Sequence, residues 1–150
     1  MPYEFKSTRR VEFADTDLAG IAHFSVFYRY MESVEHEFFR SLGFSIDTVL
    51  PEGKFGWPRV HASCDFRAPL KFEDEARVHL VVKEKRSKSL TYEFRFTKHE
   101  GDRIIDVATG TVTAVCVTYD EVENRMRAVT IPASINQLIE PAPPELFQGD

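Results

Sequence analysis

Cysteine is scarce in this sequence, with two among 150 residues. Cys64 and Cys116 show no CxxC spacing and are too few for a disulfide framework, so we expect two small buried hydrophobic residues. No apolar run is long enough to span a bilayer, and the first ten residues lack the apolar core of a signal peptide. The sequence therefore predicts a cytoplasmic protein.

Several enzyme signatures are also missing. No GxSxG, GxxxxGK[ST] or GxGxxG motif occurs, which disfavours serine hydrolases and nucleotide hydrolases. The histidines show no HExxH motif or close ligand spacing, so a metal site would require Asp15, Asp17 and His23 to converge. The formal net charge of -5 argues against binding to a nucleic-acid backbone.

One long helix is predicted over residues 23–42. Its apolar residues recur at three- and four-residue intervals, whereas its charged residues fall largely elsewhere. The apolar set is Phe24, Phe27, Met31, Val34 and Phe38, and the charged set is Glu32, Glu35, Glu37 and Arg40. We expect one buried stripe, with Gly43 ending the helix in a left-handed conformation.

Beyond residue 58 the apolar period changes to two, which is typical of half-buried strands. Strands are predicted at 4–14, 59–66, 75–83, 90–98 and 103–120, with a hairpin turn at 85–89 and a bulge or close approach at Gly110. A short helix is expected within 131–140. The order predicts an α+β domain, with an antiparallel sheet wrapped on one helix.

We expect one domain over residues 1–140 and a mobile, proline-rich tail over residues 141–150. A sheet face without a covering helix would need a partner, and dimerisation is a natural cover for it.

The candidate chemistry lies in the sequence DTDLAG, just before the long helix. Asp15 is explained by an Asx turn or a cap that closes the first strand. Asp17 is too far upstream to be the N-cap. A carboxylate beside a helix N-terminus can attack a carbonyl or deprotonate a water while free N–H groups bind the carbonyl oxygen. Gly20 either lets the backbone approach a substrate or only shapes a turn.

Residues 11–33, VEFADTDLAGIAHFSVFYRYMES, resemble the opening of the 4-hydroxybenzoyl-CoA thioesterase family of hotdog-fold proteins. The DxDxxG segment followed by a long aromatic helix is the specific part of the likeness. The resemblance implies a hotdog fold, hydrolysis of an acyl-CoA thioester without metal or bound cofactor, and dimers that commonly pair into a homotetramer.

Matched to that family, Asp17 is implied as the nucleophile or general base, and the backbone N–H of Phe24 as the group that polarises the thioester carbonyl. Glu32 matches an acid that faces the hydroxyl of the acyl group, or it is part of a polar helix face. Trp57 either lines the acyl pocket or packs the loop. His23 either contacts substrate or caps the helix locally.

The basic turn over residues 83–89 is a candidate anion site on an acidic protein. In the family the matching stretch meets the nucleotide of CoA, which implies Arg86, Lys88 and Ser89, together with Arg127, as CoA-binding residues. The alternative is a solvated hairpin turn.

Two other functions remain open. One is a non-catalytic module that binds acyl-CoA or an acyl carrier. The other is a hotdog hydratase or dehydratase, which would place a histidine beside the acid, and His23 is the only histidine near Asp17 in the sequence. The sequence does not choose between an aromatic and an aliphatic acyl group.

Overall fold

The long helix forms close to the predicted bounds. The computed structural model describes residues 2–47 and 49–147, and in it α1 spans Phe24–Ser41. Gly43 follows with a φ of +95°, and its N–H donates to the carbonyl of Arg40. Because glycine adopts this conformation without steric cost, the predicted end of the helix is confirmed.

A five-stranded antiparallel sheet packs against this helix. Its strands, in the spatial order β1-β5-β6-β7-β4, are β1 Glu4–Arg10, β5 Glu75–Lys85, β6 Ser89–Glu100, β7 Arg103–Val115 and β4 Arg59–Phe66. Two small antiparallel pairs complete the strands: β2 Val49–Leu50 with β3 Gly53–Lys54, and β8 Val117–Asp120 with β9 Arg125–Ala128. The predicted α+β arrangement of one long helix against an antiparallel sheet is confirmed.

The buried face of α1 is wider than the predicted stripe and leaves Phe24 out, and the additional buried residues are Val26, Tyr30, Glu35 and Phe39. Phe24 is 63% exposed, and its ring stacks on that of His23 with centroids 4.6 Å apart. Glu35 is only 2% exposed and forms an ion pair with Arg59 of β4. A partner on a distant strand therefore allows a charge to lie on the apolar face.

The strand predicted over 103–120 is interrupted. It forms β7 and β8, separated at Cys116, whose N–H donates to the carbonyl of Lys88. The bulge in β7 lies near Val107 and not at Gly110, where the pairing with Phe94 is regular. A Cβ at Gly110 would lie 2.3 Å from Sδ of Met31, so this glycine allows the helix to approach the sheet closely.

The last described residues, up to Phe147, pack against the sheet. The short helix α2 spans Ala133–Asn136, and the N–H of Ala142 donates to the carbonyl of Val82. A 3-10 turn at Pro144–Phe147 brings the Phe147 ring under the guanidinium of Arg95. The predicted mobility of 141–150 stays a prediction, and its last part, 148–150, lies outside the described residues.

Both cysteines are free thiols, Cys64 half-buried and Cys116 buried. Within 2–47 and 49–147, no helix is long and apolar enough to cross a membrane.

Candidate active site

A tight loop before α1 holds Asp17. The loop closes on itself through a bridge between Thr16 and Ala22, and Gly20 donates its N–H to the carbonyl of Asp17 at 3.0 Å. Gly20 has a φ of +82°, and a Cβ there would meet no atom within 4 Å. In this chain Gly20 is therefore needed to shape the turn, and the space beside it is open.

The loop is also fixed to a second segment. Ile21 forms a bridge with Lys71, and the N–H of Ala22 donates to the carbonyl of Leu70 at 2.7 Å. The position of Asp17 thus depends on a segment about fifty residues further along the sequence.

One oxygen of the Asp17 carboxylate is held and the other is free. Oδ1 accepts from the N–H of Ala19 at 2.9 Å and from that of Ile21 at 3.3 Å. Oδ2 makes no hydrogen bond to any residue that the structure describes. The carboxylate is therefore oriented by the backbone while one oxygen stays available to a substrate or a water.

The start of α1 supplies a hydrogen-bond donor. His23 is the N-cap, and its Nδ1 accepts from the N–H of Ser25 at 3.2 Å. The Phe24 N–H is the first of the helix and has no intrahelical acceptor. No acceptor for it occurs elsewhere in the described chain. His23 thus acts as a local cap, and the Phe24 N–H remains free to donate.

Asp17 and Phe24 line the same cavity, of about 470 Å³. Its other walls are apolar for the most part and come from the loop before α1, from α1 itself, and from the end of β4 with the segment after it: Ile21, Ala22, Phe27, Phe66, Arg67, Ala68, Pro69 and Leu70. The Phe27 and Phe66 rings meet edge to face, with centroids 5.0 Å apart. The cavity therefore offers an apolar space beside a carboxylate and a free N–H.

Arg67 is the charged cavity residue that sequence reasoning missed. Its Nε donates to Oδ2 of Asp106 at 2.7 Å, and this hydrogen bond raises the pKa of the guanidinium. No local pattern in the segment around Arg67 marks it, because its relation to Asp17 depends on the fold.

Asp15 has a structural role, although not as an Asx turn. It ends a 3-10 turn at Phe13–Asp15, and its Oδ2 accepts from the N–H of Glu12 at 2.9 Å. The same oxygen accepts from the hydroxyl of Tyr30 at 2.9 Å. Asp15 is therefore a capping residue tied to α1, and it does not line the Asp17 cavity.

Glu32 and Trp57 lie away from Asp17. Glu32 is exposed and lines a separate cavity of about 260 Å³ between α1 and β4, together with Glu35 and Arg59. Trp57 is buried edge to face against Phe39, with centroids 5.6 Å apart, which favours the packing interpretation. Glu35 was missed, although its place one turn after Met31, between Val34 and Phe38, put it within the apolar stripe.

The basic turn over residues 83–89 lies at the end of the domain opposite to Asp17. Lys88 is exposed next to Ser89, and Arg86 pairs with Glu84. The N–H of Val129 donates to the carbonyl of Cys116, which brings β9 with Arg127 to the same end. The implied CoA-binding residues are thus grouped, but Asp17 lies beyond the opposite end of an 18-residue helix, about 27 Å long.

A metal site at Asp15, Asp17 and His23 finds no support in the geometry. Asp15 and His23 are engaged by Tyr30 and Ser25. In the part of the chain that the structure covers, no three His, Cys, Asp or Glu side chains are grouped as metal ligands.

The chain matches a known family of proteins. The family model of the thioesterase-like superfamily matches residues 11–142. The chain belongs to this superfamily. It is 27% identical to the 1,4-dihydroxy-2-naphthoyl-CoA hydrolase of Synechocystis sp., over 78% of this chain and 83% of that protein. It is 26% identical to the 4-hydroxybenzoyl-CoA thioesterase of Pseudomonas sp., over 87% and 93% of the two chains.

A solved structure, that of a gentisyl-coenzyme A thioesterase, superposes with a TM-score of 0.74 at 30% identity and covers 88% of this chain and 99% of its own. The predicted family and the hotdog fold are confirmed. The predicted class of activity, hydrolysis of a CoA thioester, is the class to which these named relatives belong.

Proposed function

We propose that this protein hydrolyses an acyl-CoA thioester to the free acid and CoA, with Asp17 as the reacting carboxylate. One observation carries the proposal: Asp17, with a free oxygen, and Phe24, with a free N–H, line the same cavity at the start of α1. The N–H binds the carbonyl oxygen as negative charge develops on it, and the apolar wall strengthens that interaction by excluding water.

Two routes use these groups. In the first, Oδ2 of Asp17 attacks the carbonyl carbon, CoA leaves as the thiolate, and water hydrolyses the resulting anhydride to the acid and the carboxylate. In the second, Asp17 takes a proton from a water that attacks the same carbon, and the proton passes to the departing thiolate. Both routes give the same products, and both require an ionised Asp17.

We propose that the reaction needs no metal or bound cofactor, since the carboxylate and the N–H together supply the nucleophile and the oxyanion donor. The geometry gives less support to a hydratase or dehydratase. Those enzymes would need a histidine at the site, and none lines the Asp17 cavity within the described residues. The cytoplasmic location remains a prediction.

We propose a homodimer that forms through β4. This strand is an edge of the sheet, and seven of its eight residues are exposed. Val60 is 64% exposed and Phe66 48%, and an unpaired strand edge is a template for a second strand. Pairing of two β4 strands would join the two sheets and cover these side chains. Association of two such dimers into a tetramer remains a prediction.

The separation of the basic turn from Asp17 supports the oligomer. Because Arg86, Lys88 and Arg127 lie about one helix length, roughly 27 Å, from Asp17 of the same chain, we propose that they bind the CoA nucleotide at the site of another copy. The acyl end of the substrate would then lie in one protomer and the nucleotide on its neighbour.

The proposal is tested by the release of free thiol from a panel of aliphatic, benzoyl, hydroxybenzoyl and naphthoyl CoA esters. Turnover of any of them supports a thioesterase. Tight binding of the esters without turnover would support the binding module instead.

The dimer is tested by measuring the molecular mass in solution by light scattering, with Val60→Asp as the variant of the β4 edge. An unchanged mass in that variant would contradict pairing through β4.

A further inference from the structure

One charged side chain lies on the core-facing row of β6. Lys98 continues the buried row of Tyr92, Phe94 and Phe96, and it is 7% exposed. An ammonium group is costly to bury unless it is paired and hydrogen-bonded. A buried lysine at the end of an apolar row therefore indicates specific partners, and the positions of those partners show what the lysine holds.

The Lys98 ammonium is fully partnered. Nζ donates to the carbonyl of Pro69 at 2.9 Å and to Oδ2 of Asp74 at 3.3 Å. It also lies 3.4 Å from Oε1 of Glu100, whose side chain is 56% exposed. An ammonium group has three N–H donors, and these three oxygens account for all of them. Two of the three contacts go to one stretch of chain between β4 and β5, residues 69–74, which we call the 69–74 segment.

The 69–74 segment ends in a turn that needs support. Asp74 donates its N–H to the carbonyl of Lys71 at 3.0 Å, and its Oδ2 accepts from the N–H of Lys71 at 2.8 Å. Glu73 has a φ of +70°, a conformation that is costly for a residue with a side chain. Lys98 binds the same Oδ2 that closes the turn. The ammonium group therefore stabilises a strained turn from the side of the core.

The same segment fixes the loop that holds Asp17. The N–H of Ala22 donates to the carbonyl of Leu70, and Ile21 forms a bridge with Lys71. The N–H of Ile21 in turn donates to Oδ1 of Asp17. Leu70 also lines the Asp17 cavity. A shift of the segment is therefore passed on both to the carboxylate and to the wall of its cavity.

We propose that Lys98 is a positioning residue for the reaction: it holds the 69–74 segment in the place from which that segment sets the Asp17 carboxylate against the free N–H of Phe24. This inference rests on the proposed thioesterase function. Lys98 does not line the Asp17 cavity within the described residues, so it acts on the geometry of the site and not on the substrate. A misplacement of about 1 Å between reacting groups can lower a rate by about a hundredfold.

The test compares Lys98→Met with the native protein at a temperature well below unfolding. Methionine keeps the unbranched stem and removes the ammonium group, and the two carboxylates that lose their partner, 31% and 56% exposed, remain accessible to water. We expect kcat on the best CoA ester to fall by about tenfold or more. The Kd of a non-hydrolysable CoA thioether should change by less than about twofold, because the proposed nucleotide contacts lie at the other end of the domain.

A second readout separates positioning from stability. The amide resonances of Ala19 and Ile21, whose N–H groups donate to Asp17, should shift in the proton–nitrogen correlation spectrum of folded Lys98→Met. A role confined to stability would lower the free energy of unfolding and leave kcat and these two resonances at their native values. That result would overturn the proposal.

Glu100→Gln is the matched control. It neutralises the partner of Lys98 that does not belong to the 69–74 segment, so kcat and the two resonances should stay at their native values. An equal loss of kcat in Glu100→Gln would contradict a route through the segment. If Lys98→Met does not fold, Asp74→Asn weakens the same contact from the other side, and it should lower kcat and shift the same two resonances.

The two proposals fail in different ways. If the native protein hydrolyses no ester, the proposed function fails, and the resonances of Ala19 and Ile21 alone then test whether Lys98 holds the loop. If the native protein and Lys98→Met hydrolyse esters with the same kcat, the inference about Lys98 fails and the thioesterase stands.

Discussion

The hydroxyl of Tyr30 donates a hydrogen bond of 2.9 Å to Oδ2 of Asp15. Burial and this contact together raise the pKa of Tyr30, so the phenol stays protonated and remains the donor. The backbone N–H of His23 also donates to the carbonyl of Asp15 at 2.8 Å. Asp15 thus ties the segment before the helix to its second turn, and so supports the loop in which Asp17 lies.

We expect Asp15→Asn to lower the free energy of unfolding by about 1–2 kcal/mol, because its amide replaces a charged acceptor of two hydrogen bonds. Urea denaturation checks the value. Tyr30→Phe, which removes one of the two donors, should cost less. Activity per folded molecule should change little, and a loss of turnover as large as that of an Asp17 variant would contradict the structural role.

Gly110→Ala should destabilise the fold by about 1–3 kcal/mol, since the new methyl group would overlap Met31 and force the helix or its side chain to move. The double variant Gly110→Ala/Met31→Ala tests the cause. If the clash is with Met31, the two effects will not add, and the double variant will be more stable than the sum predicts. If the two destabilisations simply add, the contact with Met31 is not the cause of the loss of stability in Gly110→Ala.

His79 makes stability depend on pH. Burial lowers the pKa of His79, opposed by its hydrogen bond of 2.7 Å to Glu4, so the folded imidazole is neutral near pH 7. As the pH falls below about 6.5, the unfolded chain takes up a proton before the folded one does, and the free energy of unfolding decreases.

Urea denaturation at pH 7.5 and 5.5, at one protein concentration, measures this effect. His79→Gln should reduce the difference between the two pH values, and exposed His61→Gln should leave it unchanged. An equal decrease in native protein and His79→Gln would rule out His79 as the source.

Lys88→Ala should raise KM for acyl-CoA esters by about tenfold, with little change in kcat, because one charge-assisted hydrogen bond to a phosphate is lost. A short thioester without the nucleotide should be hydrolysed as before. Lys6→Ala, which removes an exposed lysine from β1, is the control. Equal losses on both kinds of substrate would contradict the assignment of Lys88 to the nucleotide.

Local patterns predicted much of the fold. The three- and four-residue period located α1, and the positive φ available to glycine located its end at Gly43. Apolar and polar residues alternate along β5 and β6 because one face of each strand is buried, and this alternation can be seen within a single segment of sequence. The break at Cys116 was not predictable, because it is set by a hydrogen bond to Lys88, 28 residues earlier in the sequence.

The candidate site was predictable only in part. Asp17 was marked by its place before a helix, since a free N–H and a carboxylate at a helix start form a local arrangement. The burial of Glu35 depends on Arg59, and the Asp17 cavity depends on Phe66 and Arg67, which reach it only through the sheet. No pattern within one segment records such contacts.

The most direct test of the account is the rate of thiol release by Asp17→Asn on the best substrate of the native protein. The amide has nearly the same shape and keeps an oxygen for the N–H of Ala19, but it can neither attack the carbonyl nor accept a proton from water. We predict that kcat falls by about a hundredfold or more. The fold and the binding of a non-hydrolysable CoA thioether should be retained. A variant that keeps most of the native rate would contradict the assignment of the reaction to Asp17.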